Sequence, residues 1–273
     1  MFKLLTIPDI IDKHKGTPAI IECHGPSANN NRQNINKIIQ KKEFIIFAIN
    51  EWEQFEDHPT PHYWVKASTE LTVQKHYNYF NKYSKGDIPL LSCDTVDGTS
   101  IEFAKSHLHI PYLPFDNRHF GGKTCKENFD LSAPDTYLTR YFTFFENCCN
   151  QIEKLTIQEE LQKYTNYSSH YSPNSYTAAI HMVSFAVLMG CNPIYINGMD
   201  LDHFTKNGFY AKLNKGVGLE NYSPPPKAWK EFRRDWISRD FNVVNKSAKN
   251  INVNIFNLNH DTWYEIFKKG YLN

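Results

Sequence analysis

Short apolar runs separated by polar turns dominate the first part of the chain. The runs at Thr17–Glu22, Phe44–Ile49 and His62–Lys66 are rich in β-branched and aromatic residues, and polar residues or glycine follow each of them. They are too short for helices and are apolar without alternation, which is typical of strands buried in a parallel sheet. Weaker runs at Ile88–Ser92 and Leu108–Tyr112 predict two further strands.

Helical spacing appears between and after these runs. An Asn-rich segment follows Ser27 and carries apolar residues at Ile35, Ile38 and Ile39, which predicts a helix. Later in the chain the pattern predicts a helix at Asp135–Tyr164, a buried helix at Tyr176–Met189 that stops at Gly190, a strand at Asn192–Asn197, a helix at about Ala228–Asn250 and a last strand at Asn252–Leu258.

This order of elements predicts an α/β fold, with a Rossmann-like, mostly parallel sheet and helices on both faces. We expect one domain over residues 1–273. Residues 115–133 show little periodicity and are interpreted as a loop or insertion. Glycines and three consecutive prolines in Phe204–Pro226 predict a flexible lid at about 203–235.

Composition narrows the function. The chain has 273 residues, of which 41% are hydrophobic and 22% charged, and its formal net charge is +1. A protein with this near-zero net charge has no broad positive potential that would attract a polyanion, so we expect no nucleic-acid partner. No apolar run approaches the ~18 residues that span a bilayer, and none is typical of a signal peptide. We therefore expect a cytoplasmic protein, with peripheral association at the inner face of the membrane and homo-oligomerisation left open.

The six cysteines contain no CxxC pair of the zinc type. We expect them to be reduced, and we predict no metal site and no cofactor.

Polar residues follow four of the predicted strands, at positions that should meet at one rim of the sheet. They are the turn Cys23–Ser27, Asn50, the segment Lys66–Ser68 and the turn Gly198–Asp200. Ligands bind at this rim in open parallel sheets. Gly25, followed by Pro26, lets a phosphate or ribose approach the backbone, while Ser27 can cap the next helix or donate to an anion.

Structural explanations compete with each of these interpretations. Gly-Pro-Ser also forms ordinary turns, Asn commonly ends a strand, and Asp200 can cap a helix as well as bind a ribose. Near the rim, His24, His170 and His203 are candidate bases, although a single histidine is more often structural. The chain has no GxGxxG and no GxxxxGK[ST], which disfavours a dinucleotide fold and excludes a P-loop.

Together the Gly25-Pro26-Ser27 turn, Asn50 and the segment Ile194–Asp200 resemble the bacterial sialyltransferases of glycosyltransferase family 42. They are also similar to the wider superfamily of motility-associated-factor glycosyltransferases and hydroxymethylpterin pyrophosphokinases. The resemblance covers roughly residues 18–70 and 174–258. It implies transfer of sialic acid or a related sugar from a cytidine monophosphate (CMP) donor to a glycan acceptor in surface polysaccharide synthesis, without a metal.

The same resemblance implies a role for each matching residue. The nucleotide would be bound by His24, Gly25, Pro26, Ser27, Asn50, Gly198 and Asp200. The donor sugar would be bound by Ser175, Tyr176 and Thr177. In the lid, Tyr210 matches a tyrosine that stabilises the departing phosphate, with Arg233 or Arg234 as candidate helpers.

The chain departs from the family pattern at two positions. No histidine stands near the end of the lid, where the family places its general base, so His203, Asp202 and Asp235 are the candidates. An arginine-serine pair expected at the head of the long helix is also missing. Two alternatives follow: a magnesium-dependent pyrophosphokinase acting on a pterin, with Asp200 and Asp202 as a thin ligand pair, or a non-catalytic nucleotide-binding protein.

Overall fold

The computed structural model describes residues 1–5, 9–66, 74–83, 88–93, 104–115, 178–200, 241–242, 244–246, 248–262 and 265–272. These residues form one sheet of nine strands in the order β1-β6-β5-β4-β3-β2-β7-β8-β9, and each neighbouring pair is parallel. The strands are β1 (Lys3–Leu4), β2 (Ala19–Glu22), β3 (Ile45–Ile49), β4 (Tyr63–Lys66), β5 (Leu90–Cys93), β6 (Pro111–Phe115), β7 (Ile194–Asn197), β8 (Ile255–Asn257) and β9 (Lys268–Lys269).

Helices cover both faces of this sheet. They are α1 (Ala28–Ile38), α2 (Gln74–Tyr83) and α3 (Ala178–Leu188), with a short 3₁₀ turn at Trp52–Gln54 and helical backbone at residues 241–242, 244–246 and 248–250. On one face, α3 and the 241–250 segment pack on the central strands; on the other, α1 contributes Ile35 and α2 contributes Phe80. Among the described residues, no helix has the length and apolarity needed to span a bilayer.

Helix α3 packs on the sheet in one core cluster with the 241–250 segment, and its residues from Ala179 to Leu188 are all buried. A helix buried on every side needs apolar residues all round, which explains its run of Ala, Ile, Met, Val, Phe and Leu. The helix ends at Gly190, whose φ of +77° only glycine adopts at little cost. Cys191 then donates its N–H to the carbonyl of Ala186 at 2.9 Å, as in a Schellman cap.

The fold class predicted from the sequence is confirmed, and most predicted strands occur within a few residues of their expected bounds. One was misplaced: Leu108–Tyr112 was predicted as a strand, but β6 begins at Pro111, and Leu108 and Ile110 pack in the core before it. Strands β1 and β9 and helix α2 were not predicted. The predicted helix at Asp135–Tyr164 and the lid at 203–235 lie outside the described residues, and the single-domain assignment stays a prediction.

Candidate functional site

The candidate site lies where the chain changes direction across the sheet. β2 pairs with β3 on one side and with β7 on the other. The chain leaves β2 through α1 and returns to β7 through α3, and these two helices lie on opposite faces. Such a switch point opens a crevice at the carboxyl ends of the strands, where ligands of open α/β sheets bind. The turns that follow β2 and β7 therefore form the expected rim.

These two turns touch through their backbones. We call residues Cys23–Ser27 the first turn and residues Gly198–Asp200 the second turn. Gly25 donates its N–H to the carbonyl of Gly198 at 2.8 Å, and Cys23 donates to the carbonyl of Asn197 at 2.8 Å. The contact continues the β2–β7 pairing beyond the ends of both strands.

Both glycines are required by this close approach. A Cβ on Gly25 would lie 2.3 Å from Asp200 Oδ2 and 2.4 Å from the carbonyl oxygen of Gly198. Gly198 has a φ of +71°, and a Cβ there would lie 2.6 Å from the carbonyl oxygen of Cys23. Real side-chain carbons do not approach these distances, so a larger residue at either position would separate the turns.

Asp200 is buried and has a partner on each oxygen. Oδ2 accepts the backbone N–H of Ser27 at 2.9 Å, and Oδ1 accepts the side-chain amide of Asn259. Its own carbonyl accepts the hydroxyl of Thr262 at 3.0 Å. The carboxylate thus lies at the start of α1, where the partial positive charge of the helix favours it.

Ser27 does not act as the predicted side-chain cap. No cap bond forms at this position, and its buried hydroxyl has no hydrogen-bond partner among the described residues. The backbone N–H groups of Ala28, Asn29 and Asn30 bond to the carbonyls of Gly25, Pro26 and Ser27. The Ser27 hydroxyl is therefore not used to cap α1.

Asn50 ends β3 beside the first turn. Its φ is +46°, its N–H donates to the carbonyl of Val65 at 3.0 Å, and its carbonyl accepts the indole N–H of Trp64 at 2.6 Å. With the backbone held in this way, the side-chain Oδ1 is buried and has no partner among the described residues. Asn tolerates this left-handed backbone better than most residues, so both its conformation and its free amide oxygen fit the position.

A cluster of rings flanks the first turn on the β3 side. The His24 ring lies 3.9 Å from the Phe55 ring, and His58 lies between His24 and Trp52 at centroid distances of 6.2 and 5.4 Å. Burial, with a contribution from the charge of Arg32, lowers the pKa of His24 well below its usual value and the pKa of His58 to about 3. Both imidazoles are therefore neutral at physiological pH, and they can exchange hydrogen bonds with a ligand but not pair with a phosphate as cations.

Sequence reasoning missed a buried polar group below the rim. Glu22, Arg32 and Asn197 are almost fully buried, and Glu22 contacts each of the other two. A signal for Glu22 was present, since it is the one charged residue in an otherwise apolar run. Asn257 and Asn259 at the end of β8 were also missed; Asn259 was recognisable only as a polar residue just after a strand.

A family model for alpha-2,3-sialyltransferase (CST-I) matches residues 128–270, which is more than half of the chain. The chain belongs to the CST-I sialyltransferase family. It is therefore a glycosyltransferase, and the resemblance proposed from the sequence is confirmed.

Solved structures share the fold of this CST-I family member. Cst-I, a monofunctional alpha-2,3-sialyltransferase from Campylobacter jejuni, is 14% identical with a TM-score of 0.51, covering 94% of this chain and 81% of that chain. The sialyltransferase CST-II, solved with a trisaccharide acceptor and CMP, is 13% identical with a TM-score of 0.50, covering 94% of this chain and 87% of that chain. A glycosyltransferase of Magnetospirillum magneticum AMB-1 named MAf reaches a TM-score of 0.49 at 12% identity, and the match covers 96% of this chain and 35% of that chain. No curated protein sequence matches the chain.

The structure brings together all the predicted nucleotide-binding residues of this CST-I family member: His24, Gly25, Pro26 and Ser27 in the first turn, Gly198 and Asp200 in the second, and Asn50 at the adjacent strand end. The remaining predicted residues lie outside the described part of the chain: Tyr210, His203, Asp202 and Asp235, with Arg233, Arg234, Ser175, Tyr176 and Thr177. Within the described residues, no group of three or more His, Cys, Asp and Glu side chains could hold a metal ion.

Proposed function

We propose that this CST-I family member transfers sialic acid or a related sugar from a CMP-activated donor to a glycan acceptor. The observation that carries the proposal is the paired glycine contact between the first and second turns at the switch point of the sheet. It lies at the edge of the sheet where α/β proteins bind nucleotides. A related structure, CST-II, was solved with CMP and a trisaccharide acceptor.

The described residues supply three kinds of contact for a nucleotide. The Ser27 hydroxyl can donate to a phosphate oxygen, the Asn50 amide can accept from a ribose hydroxyl or a base amino group, and the neutral His24 ring can exchange a hydrogen bond with either. None of the three depends on a cation, which suits a ligand recognised by directed hydrogen bonds.

We propose that residues of the predicted lid catalyse the chemical step. Tyr210, with Arg233 or Arg234, would stabilise the negative charge that develops on the departing CMP. His203, Asp202 or Asp235 would take the proton from the acceptor hydroxyl as the bond to the sugar forms. Closure of the lid over the donor would exclude water and so limit hydrolysis.

The hydrogen bonds of Asp200 support the proposal that the transfer needs no metal ion. Both of its carboxylate oxygens already accept hydrogen bonds, from Ser27 and from Asn259. A magnesium ion would have to displace these donors, and Mg²⁺ tolerates little distortion of its octahedral ligand set. The pyrophosphokinase alternative needs Asp200 as such a ligand, so the site favours glycosyl transfer.

A place in the cell follows from the donor and acceptor. We propose that the enzyme works in the cytoplasm at the inner face of the membrane and contributes to surface polysaccharide synthesis. Homo-oligomerisation belongs to the same proposal and is measured by light scattering.

Thermal-shift measurements with CMP, UMP, GMP, AMP and ATP, each with magnesium and with EDTA, test the proposed donor class. A ligand that binds only the native state raises Tm. We expect CMP to raise Tm equally with and without magnesium, and a CMP-sialic acid donor to release CMP when a sialic acid acceptor such as a galactoside is added. A rise of Tm with ATP and magnesium alone would replace the proposal with the pyrophosphokinase, and no rise with any nucleotide would favour a non-catalytic protein.

A further inference from the structure

A buried carboxylate lies directly below the first turn. Glu22 is the last residue of β2 and is completely buried. Successive side chains of a strand face opposite sides of the sheet, and the neighbours Ile21 and Cys23 pack on the α3 face. Glu22 therefore faces α1, three residues before Gly25.

Asn197 binds this carboxylate and holds three elements together. Its side-chain amide donates to Glu22 Oε1 at 3.0 Å and Oε2 at 3.1 Å, and weakly to the carbonyl of Ala28 at 3.4 Å. Its oxygen accepts the amide of Asn31 at 3.1 Å. Since Asn197 is the last residue of β7 and precedes Gly198, the network joins β2, β7 and the first turns of α1 just below the candidate nucleotide site.

Arg32 faces the same carboxylate from α1. It is 2% exposed, and its Nε lies 3.9 Å from Glu22 Oε2, a distance of ionic contact but not of a hydrogen bond. Its NH1 donates to the carbonyl of Glu56 at 2.8 Å, and its guanidinium lies 5.6 Å from the centre of the Phe55 ring. The Nε and NH2 groups have no hydrogen-bond partner among the described residues.

The contacts of Arg32 lead back to the rim. The Phe55 ring that it touches packs on His24 at 3.9 Å. The charge of Arg32 also contributes to lowering the pKa of His24 in the first turn. The guanidinium is thus close enough to influence an anion bound at this turn.

We propose that Glu22 is a positioning residue of the nucleotide site: it holds the first and second turns together through Asn197, and its charge sets how strongly Arg32 attracts an anionic nucleotide. This inference rests on the proposed function. Glu22 does not touch the nucleotide, so its effect passes through Asn197 and Arg32.

The positioning role of Glu22 can be measured because the charge of its carboxyl group changes with pH. Burial raises the pKa of Glu22 to about 7, against the opposing effects of Arg32 and of the Asn197 hydrogen bond. The groups that face it are Arg32 from α1, Asn197 from β7 and, in register on β3, the uncharged Ala48. Arg32 is in turn influenced by Asp57, His58 and His24 of the rim.

The direction of the pH effect follows from the charges. Below pH 7, Glu22 is neutral and the positive charge of Arg32 is not compensated, which favours a bound phosphate. As the pH rises through 7, Glu22 ionises and cancels that charge. Affinity for an anionic nucleotide therefore falls as the pH rises through the pKa of Glu22.

The test compares CMP binding by wild type and Glu22→Gln from pH 6 to pH 8.5, using isothermal titration at constant ionic strength. The phosphate of CMP also titrates, but it does so equally for both proteins, so the ratio of their Kd values cancels it. Gln keeps the shape of Glu22 and an acceptor for Asn197. With one unit charge at about 10 Å and an effective dielectric constant of about 20, we expect Glu22→Gln to match wild type near pH 6 and to bind CMP about tenfold more tightly than wild type at pH 8.5.

Two further variants make every outcome decisive. Asp57→Asn removes an exposed charge that influences Arg32 but does not contact Glu22, and it should keep the wild-type pH profile. Arg32→Gln should flatten the profile as Glu22→Gln does, and it serves as the test if Glu22→Gln does not fold. CMP binding with a Kd ratio independent of pH would overturn the role of Glu22 alone, whereas no CMP binding by wild type would overturn the proposed function and this inference together.

Discussion

The carboxylate of Asp200 accepts the backbone N–H of Ser27 at 2.9 Å, although the two residues are 173 positions apart in the chain. This bond ties the end of β7 to the start of α1. It satisfies the N–H of the residue that precedes α1, while the hydroxyl of Ser27 makes no cap bond and has no partner among the described residues. Asp200 therefore acts first as a support of the rim.

Replacement of Asp200 should cost both stability and binding. In Asp200→Ala the buried N–H of Ser27 and the amide of Asn259 lose their acceptor, a loss of about 1–3 kcal/mol in the free energy of unfolding. Asp200→Asn keeps one acceptor and should lose less. Urea unfolding measures the stability, and titration with CMP measures the affinity.

Asp261→Ala is the matched control for Asp200. Asp261 is exposed and joins the neighbouring network through its backbone N–H, which donates to Asn259 Oδ1 at 3.0 Å. Removal of its carboxylate should leave stability and CMP affinity unchanged. Equal losses in both variants would mean that Asp200 acts only through general charge.

A methyl group on Gly25 should separate the two turns. Its Cβ would lie 2.3 Å from Asp200 Oδ2 and 2.4 Å from a backbone oxygen that cannot rotate away. We expect Gly25→Ala to abolish measurable CMP binding and to destabilise the protein by about 1–3 kcal/mol, as overpacking usually does. Calorimetric titration and thermal melting together report the two effects.

Gly16→Ala separates the loss of binding from a simple loss of stability. Gly16 has a φ of +78° and open space around it, so alanine there introduces backbone strain of about 1 kcal/mol without a clash. It lies on the chain before β2, at the opposite end of that strand from the first turn. Gly16→Ala should lower Tm and keep the wild-type affinity for CMP. Weakened binding in this variant would mean that the loss of binding in Gly25→Ala reflects lower stability and not separation of the turns.

The side chain of Asn50 should contribute to binding and little to stability. Asn50→Gly keeps the positive φ of +46° and removes the amide, so it tests the side chain alone. We expect its CMP affinity to fall about fivefold to tenfold, as for loss of one hydrogen bond of roughly 1–1.5 kcal/mol. Asn50→Ala should lose the same affinity and also some stability, because alanine is strained at this φ. Full affinity in the glycine variant would exclude Asn50 from the site.

Acid should destabilise the protein through His58. Its pKa is lowered to about 3, chiefly by burial, while an unfolded histidine titrates near 6.5. The unfolded state therefore binds about one more proton than the folded state between these values, and this part of the stability is lost as the pH falls below 6.5. His58→Gln should reduce the slope of unfolding free energy against pH by about one proton in urea titrations from pH 6.5 to 4.5. An unchanged slope would contradict the buried, neutral imidazole.

Strands with several apolar residues were readable from the sequence, and short edge strands were not. β3 and β7 are buried by neighbours on both faces, so their composition reports their environment. β1 and β9 have two exposed residues each, and β9 consists of Lys268 and Lys269. Only pairing with β6 and β8 makes them strands, and no local pattern encodes a partner that is remote in the chain.

The candidate site divides in the same way. The polar residues after β2, β3 and β7 could be found because parallel strands present their carboxyl ends at one edge. The hydrogen bonds between the two turns could not be predicted from the sequence. Whether Gly25 contacts Gly198, or Asp200 contacts Ser27, depends on which strands are neighbours. Glu22 shows the limit most clearly, since a charge in an apolar run has no evident role until its partners Asn197 and Arg32 are known.

The sequence by itself determined the α/β class, the order of the main strands and the position of the candidate rim, because hydrophobic runs and turn residues act locally. Only the tertiary structure decided that β2 lies between β3 and β7, that Asp200 accepts the N–H of Ser27 at the start of α1, and that Glu22 is buried against Arg32. These are contacts between residues far apart in the chain. Their energies depend on distance, burial and desolvation, which exist only once the sheet has formed.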